Sequence, residues 1–473
     1  MTTAPAETEK RRLSGRLGPV GIVFMVVAAA APLTVIGGNM PLAMGLGNGA
    51  GAPVGFVIAA LVLLVFSVGF VTMTPHVPAA GAFFSYVTVG LGERMGKGIA
   101  VVALIAYTAI QIGIYGYIGW AISDTVAHYH GPVIAWPVYS FIVLVIVAVL
   151  GYRHIELSAK VLGVALALEI GIVVVLDAVM VAKPGPAGVT FTSFAPATFT
   201  QGTLGIAILF ALTGFIGFEA TAVFRDEARD PEQTIPRATY AAVIIIGAFY
   251  AITVWAFVVA VGPDQVATVA QKTLAGDGNM LLDTTGDMLG IVGRDIVNVL
   301  LLSSLFACVL SFHNVIARYQ FVLAGKGLLP ARLATVHDDH ESPSFSSLVQ
   351  TATAAIIVAV LAILGIDPLV GVFGSMAGVA TVGMVLLMLT TSVAVLVFFL
   401  RNRELGTDHL WTTRIAPALA VLGLLGSLWL VLSNFTLVTG GSATLSTVLA
   451  AIPFLGLVVG FVAWRPSRAL SAN

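Results

Sequence analysis

Cysteine is almost missing from this chain, with one residue, Cys308, in 473. A single thiol excludes an intramolecular disulfide and any cysteine-based metal cluster. Charge is scarce as well, at 10% of residues against 58% hydrophobic, and the mean hydropathy is +1.02. No water-soluble domain has that balance. The formal net charge of −1 gives no basic surface, so nucleic acid is not an expected partner. Long polar connections are lacking too, which leaves no space for a soluble domain between the apolar runs. Those runs hold no nucleophile with a base and no set of metal ligands, so nothing in them supports an intramembrane enzyme.

What is present suits hydrocarbon. A bilayer core of about 30 Å takes roughly 20 apolar residues per helix. Twelve such runs occur, at 18–46, 52–74, 97–123, 132–151, 157–182, 202–225, 238–262, 290–318, 345–365, 369–400, 413–436 and 443–464. Lys and Arg stay on the cytoplasmic side during insertion. With twelve spans and the N-terminus inside, only Lys183, Lys272 and Arg294 of the 22 Lys and Arg fall outside. An odd span count or the opposite orientation destroys this sorting, so both termini are expected in the cytoplasm and the chain in the cell membrane. Residues 1–17, with Lys10, Arg11, Arg12 and Arg16, read as a polar tail. The first span is too long and too poorly flanked for a cleaved signal and is expected to be retained.

Two spans are broken at matching places, residues 30–38 (AAPLTVIGG) in the first and 213–219 (TGFIGFE) in the sixth. An interrupted helix in lipid leaves backbone N–H and C=O groups without partners, which is tolerated where the break lines a cavity. Transporters made of two inverted five-helix repeats place a discontinuous helix at the start of each repeat, with the unwound points facing each other near the midplane. Free N–H groups there suit an anionic group and free carbonyls a cationic one, and an amino acid carries both. Taken singly, Pro32 could merely kink its helix, and Gly214 and Gly217 could serve close packing. Two breaks five spans apart favour a transport site.

Three segments carry a family resemblance. They are TGFIGFEATAVFRDEARDPEQTIPRA (Thr213 to Ala238), PHVPAAGAFFSYVTVGLG (Pro75 to Gly92), and Asn314, Arg318 and Tyr319 with GKGLLP (Gly325 to Pro330) and Pro343. In these the chain resembles the amino acid–polyamine–organocation permease superfamily. The resemblance implies an all-α membrane protein of twelve transmembrane helices in a LeuT-like arrangement. Its two inverted five-helix repeats, 18–182 and 202–400, have broken helices 1 and 6, and two further helices at 413–464 precede a cytoplasmic tail at 465–473. It implies alternating access and a substrate pocket at the breaks, built from Ala31, Pro32, Leu33, Thr34 and Val35 with Thr213, Gly214, Phe215, Ile216, Gly217 and Phe218. The family's Gly-Ser-Gly in the first break corresponds here to Pro32, Leu33 and Thr34. Pro32 supplies no N–H, so a carboxylate would use the Leu33, Thr34 and Val35 amides and the Thr34 hydroxyl. Where some relatives have a gating aromatic, this chain has Thr213, which leaves Phe215 or Phe218 as lid. Asp226, Glu227, Arg229 and Arg237, in the loop after the sixth span, fit a gate of switching ion pairs or a solvated charged loop.

Glu169 and Asp177 in the fifth span and Glu219 in the sixth are carboxyls inside apolar runs. A charge at the bilayer centre costs roughly 2.5–3.5 kcal/mol on insertion scales, so each needs a partner, a wet cavity or a proton. Glu169 is the first candidate for proton coupling, at what resembles the position of a lysine in some proton-coupled relatives. The other reading is a permanently neutral acid bonded to hydroxyls. Glu219 either bridges helices around the break or transfers a proton, and Asp177 is expected to be solvated toward the outer end.

Tyr107, Gln111 and Tyr115 form one polar face of the third span, which in the repeat arrangement borders the pocket; interhelical hydrogen bonding would explain them equally. Ser304, Cys308 and Ser311 share a face of the eighth. The run HDDHE (His337 to Glu341) and the pair His128 and His130 read as exposed polar residues, not as metal sites.

The function expected is secondary active transport of an amino acid or related amine, with protons ahead of sodium as coupling ion and no cofactor or metal. An exchanger without net proton movement is the alternative, and a channel is a remote one. The absence of Lys or Arg at either break disfavours dicarboxylate substrates.

Overall fold

The computed structural model describes residues 18–77, 83–153, 159–219, 221, 228–336, 343–405 and 409–462. Every element among them is helical, and no strand occurs. Nine helical stretches are long and apolar enough to cross a bilayer, and two shorter apolar helices, Trp136–Tyr152 and Leu204–Thr213, accompany them among the described residues.

Helix α1 (Pro19–Ala29) opens on a proline, whose missing N–H costs nothing at a helix start. It stops at Ala30, Ala31 takes a left-handed conformation (φ 49°, ψ 72°), and the chain restarts at Pro32 as α2 (Pro32–Thr34). A proline inside a helix loses the i−4 bond and collides with that carbonyl, which explains the interruption. The break is narrower than residues 30–38, because Val35–Asn39 winds on as π-helix. After Gly49 (φ 56°) the chain reverses into α3 (Ala52–Met73).

The remaining long elements are α4 (Glu93–His128), α5 (Trp136–Tyr152), α6 (Ala159–Ala182), α7 (Leu204–Thr213), α8 (Pro231–Val261), α9 (Met280–Gly325), α10 (Ser344–Ile363), α11 (Ser375–Arg401), α12 (Ala416–Ser433) and α13 (Ala443–Val462). Several overrun their apolar segments. Helix α4 extends beyond 97–123 and α8 begins before 238, because a helix continues its hydrogen-bond ladder into polar ends that hydropathy does not register. In α9 the non-helical Gly290 (φ 74°, ψ −178°) lies where the apolar run begins. Across this kink Arg294 and Asp283 approach to 3.8 Å.

Helix α4 runs through the centre, packed on α5, α9, α11 and α13, while α3 packs on α7, α8 and α12. Helix α1 rests on α8 and α6, and α2 touches α9, so the first break is enclosed by long helices. Close backbone approach holds the frame together at Gly90 of helix Phe83–Leu91, where an added Cβ would stand 2.7 Å from the Ala394 carbonyl carbon of α11. Large apolar side chains such as Val145, Ile356, Leu422 and Trp429 remain exposed on the outer helices, as a lipid-facing surface requires.

Candidate functional site

The start of any helix leaves its first amides without intrahelical partners and concentrates positive dipole there. At the first break a carboxylate from another helix meets that need. Leu33 N–H donates to Glu169 Oε2 of α6 at 3.5 Å. Ser304 Oγ of α9 donates to the same oxygen at 3.0 Å, and Thr34 Oγ1 donates to Ser304 Oγ at 3.4 Å. On the other side of the break, the Tyr250 hydroxyl of α8 donates to the Ala30 carbonyl at 3.3 Å. Glu169 is buried and ties α2, α6 and α9 together at the interruption.

At the second break α7 ends on Thr213 and the chain turns through Glu219, with Gly217 at φ 108°, a conformation that favours glycine. The donors of this turn are consumed locally. Gly214 N–H bonds the Phe210 carbonyl at 3.2 Å, and Phe215, Ile216 and Phe218 bond the carbonyls three residues back, each at 3.1 Å. Gly217 N–H donates to Glu219 Oε2 at 2.9 Å, and the Tyr107 hydroxyl of α4 donates to Glu219 Oε1 at 2.7 Å. Glu219 is thus a buried brace between the turn and α4.

A cavity of about 30 Å³ lies between the two breaks, space for about two water-sized groups. The first break contributes Ala30, Ala31, Thr34, Val35 and Asn39, and the second Thr213 and Ile216. Ile110 and Ile114 of α4, Cys308 and Phe312 of α9, and Phe373 close the remaining sides. Phe373 sits in the π-helical segment Pro368–Gly374, which Asp367 caps by accepting from Leu369 N at 3.0 Å and Val370 N at 2.7 Å. Opposite, the Thr213 hydroxyl donates to the Leu209 carbonyl at 2.8 Å and lies 2.5 Å from the Thr381 hydroxyl of α11.

Several expected residues lie elsewhere. Pro32, Leu33, Gly214 and Gly217 shape the breaks without lining the cavity. Gln111 faces away from it, donating to the Val309 carbonyl at 3.4 Å and accepting from Gln350 at 2.6 Å, with Gln320 bonding Gln350 in turn at 3.2 Å. Tyr115 is buried, and its carbonyl receives the Ser140 hydroxyl. Phe215 packs edge-on to Tyr250 and Phe218 edge-on to Phe66, both buried and off the cavity, whose aromatic walls are Phe312 and Phe373. Asp177 is not solvated: it is 9% exposed and accepts from Thr253 at 2.7 Å. It lies eight residues from Glu169, which places both on the inward stripe of α6 with Val173 between them. Ser311 is exposed, apart from Ser304 and Cys308. Arg229 and Arg237 are exposed, while Asp226, Glu227 and the His337 to Glu341 run lie outside the described residues.

Asn39 is the residue that composition hides. Its Nδ2 donates to the Phe210 carbonyl at 2.9 Å, joining the first interrupted helix to the sixth. An asparagine in an apolar run is the available signal, since a buried amide in lipid must find partners.

Comparison with known proteins agrees with this architecture. The profile of the amino acid permease family matches residues 21–465. The branched-chain amino acid permease BcaP of Bacillus subtilis (strain 168) is 24% identical over 359 residues, 72% of this chain and 73% of that protein. An uncharacterized transporter of Mycobacterium tuberculosis is 27% identical over 75% of this chain and 76% of its own length. The serine/threonine exchanger SteT of Bacillus subtilis (strain 168) is 26% identical over 50% of this chain and 49% of its own. An apolar all-helical chain, a match along nearly its whole length and relatives that are transporters lead to one conclusion: the chain belongs to the amino acid permease family.

Proposed function

We propose that this protein carries amino acids or related amines across the cell membrane by alternating access, in symport with protons. The observation that carries the reading is the cavity bounded by both helix breaks, with Ala31, Thr34 and Val35 on one side and Thr213 and Ile216 on the other. In this reading the chain crosses the membrane twelve times with both termini in the cytoplasm. The segments 18–182 and 202–400 are the inverted repeats, and 413–464 adds two helices. Thr34, which lines the cavity, supplies its amide to a substrate carboxylate, and Tyr107, through Glu219, holds the second break against α4. Phe215, Arg229 and Arg237 move with gating.

Glu169 is the proposed proton carrier. As a carboxylate it accepts from Leu33 N–H and Ser304 on one oxygen. Adding a proton removes the charge that strengthens both bonds, which loosens α2 from α6 and α9 at the point where the first helix must flex. A cycle in which that proton rides inward with substrate follows. The second reading, exchange without net proton movement, is favoured by SteT, a relative named as an exchanger.

Uptake into proteoliposomes separates the two. Symport gives accumulation that collapses with the pH gradient. Exchange persists without the gradient once counter-substrate is loaded inside. A Glu169→Gln variant that still accumulates substrate against a gradient would remove this residue from the coupling role.

A further inference from the structure

The lining of the cavity carries information on cargo. Resting on the transport reading above, we infer that the site takes a small neutral amino acid with an aliphatic side chain and rejects cationic amino acids, polyamines and acidic amino acids.

Among the described residues, no Lys, Arg, His, Asp or Glu side chain lines the cavity. The two nearby carboxyls are already engaged: Glu169 with Leu33 N–H and Ser304, Glu219 with Tyr107 and Gly217 N–H. A second charge on a substrate would therefore enter a space whose lining holds no counter-ion, which folded proteins tolerate poorly. The head group has what it needs. At the first break Leu33 N–H is held by Glu169 and Val35 N–H by the Ala31 carbonyl, which leaves Thr34 as the donor on the cavity. At the second, every amide from Gly214 to Phe218 is spent within the turn or on Glu219, so carbonyl acceptors predominate. The carboxylate end then faces the first break and the ammonium end the second.

The side chain has one direction left. Ile110, Ile114, Phe312 and Phe373 are the large apolar side chains of the lining outside the two breaks, and Cys308 adds a small, soft surface. With about 30 Å³ between the breaks, even a small cargo displaces these side chains, and bulky rings meet them first.

The test uses Cys308, the chain's one cysteine and 8% exposed in the lining. Purified full-length protein is treated with N-ethylmaleimide in the presence of valine, alanine, phenylalanine, lysine, glutamate or putrescine, and uptake of each is measured in proteoliposomes. Valine and alanine are expected to slow alkylation and to be transported, with kcat/KM about 100-fold or more above lysine, glutamate and putrescine. Ile114→Ala is expected to raise the phenylalanine-to-valine ratio of kcat/KM by about 10-fold or more. Comparable transport of lysine or putrescine overturns the assigned class while leaving the transport reading intact. Uptake of none of the six, with no protection of Cys308, overturns the transport reading itself. If Cys308 proves unreactive, the uptake ratios alone decide the class.

Discussion

The contact between Tyr107 and Glu219 permits a prediction whose size is diagnostic. The Tyr107 hydroxyl reaches Glu219 Oε1 at 2.7 Å, and Gly217 N–H reaches Oε2 at 2.9 Å, so both carboxyl oxygens accept. Both side chains are buried, and water does not replace a deleted partner easily. Neutral interhelical hydrogen bonds in membrane proteins average about 0.6 kcal/mol by double-mutant cycle. Bonds to a charged group contribute about 1.5–3 kcal/mol. A cycle through Tyr107→Phe, Glu219→Gln and the double variant, read by thermal and chemical unfolding in detergent at pH 8, is expected to return a coupling of about 1.5–3 kcal/mol. That corresponds to about 10- to 150-fold in the equilibrium between the braced and unbraced turn. A coupling at or below about 0.6 kcal/mol at pH 8 would refute the reasoning that this pair is a charge-assisted brace. The two single variants are also informative: Tyr107→Phe alone leaves Oε1 without its donor, and its cost should exceed that of the same change in the Glu219→Gln background.

Other perturbations have distinct signatures. Asn39→Ala removes one of two donors to the Phe210 carbonyl, which keeps Gly214 N–H, so unfolding stability is expected to fall by about 0.5–1.5 kcal/mol, whereas Asn39→Gln should recover part of the loss if the amide bond is the cause. Gly38→Ala places a Cβ 2.7 Å from Phe373 Cε1 and 2.9 Å from Tyr117 Cε1, so both buried rings must shift, and substrate KM is expected to rise together with a loss of about 1–3 kcal/mol of stability. Gly90→Ala drives a methyl group against the backbone of Ala394, 2.7 Å from its carbonyl carbon, and this variant should be destabilised by about 1–3 kcal/mol or more without changing substrate preference in the folded fraction. Ala31→Gly relieves a left-handed conformation at φ 49°, so it is expected to keep the fold and uptake; a loss of transport at unchanged stability would show that the strained backbone itself matters.

Most helices are legible in the amino-acid sequence, and the site only in part. Apolar runs announce themselves because lipid demands them, and Pro32 announces the first interruption because its ring forbids the ladder to continue. The turn at Thr213 to Glu219 is likewise visible in its glycines. Helix facing is harder to read. On α4 the polar stripe of Tyr107 and Gln111 points to a pocket, yet Ile110 and Ile114 line it. In lipid the polar side chains turn toward other polar groups, here Glu219 and Gln350, and apolar ones are left to form the cavity wall. Pairings across the chain have no local signal: Leu33 with Glu169 spans 136 positions and Asn39 with Phe210 spans 171. Depth along α6 suggests a solvated Asp177, whereas its rotation, contained in the spacing from Glu169, turns it inward.

The small volume between the breaks has a consequence for the cell as a whole. On the proposed alternating-access cycle, a carrier whose central space admits about two waters would bring hardly any solvent or stray ions along when it cycles empty. Under the proposed proton symport, the gradient that many other processes draw upon would then be spent on cargo and not lost through idle turnover.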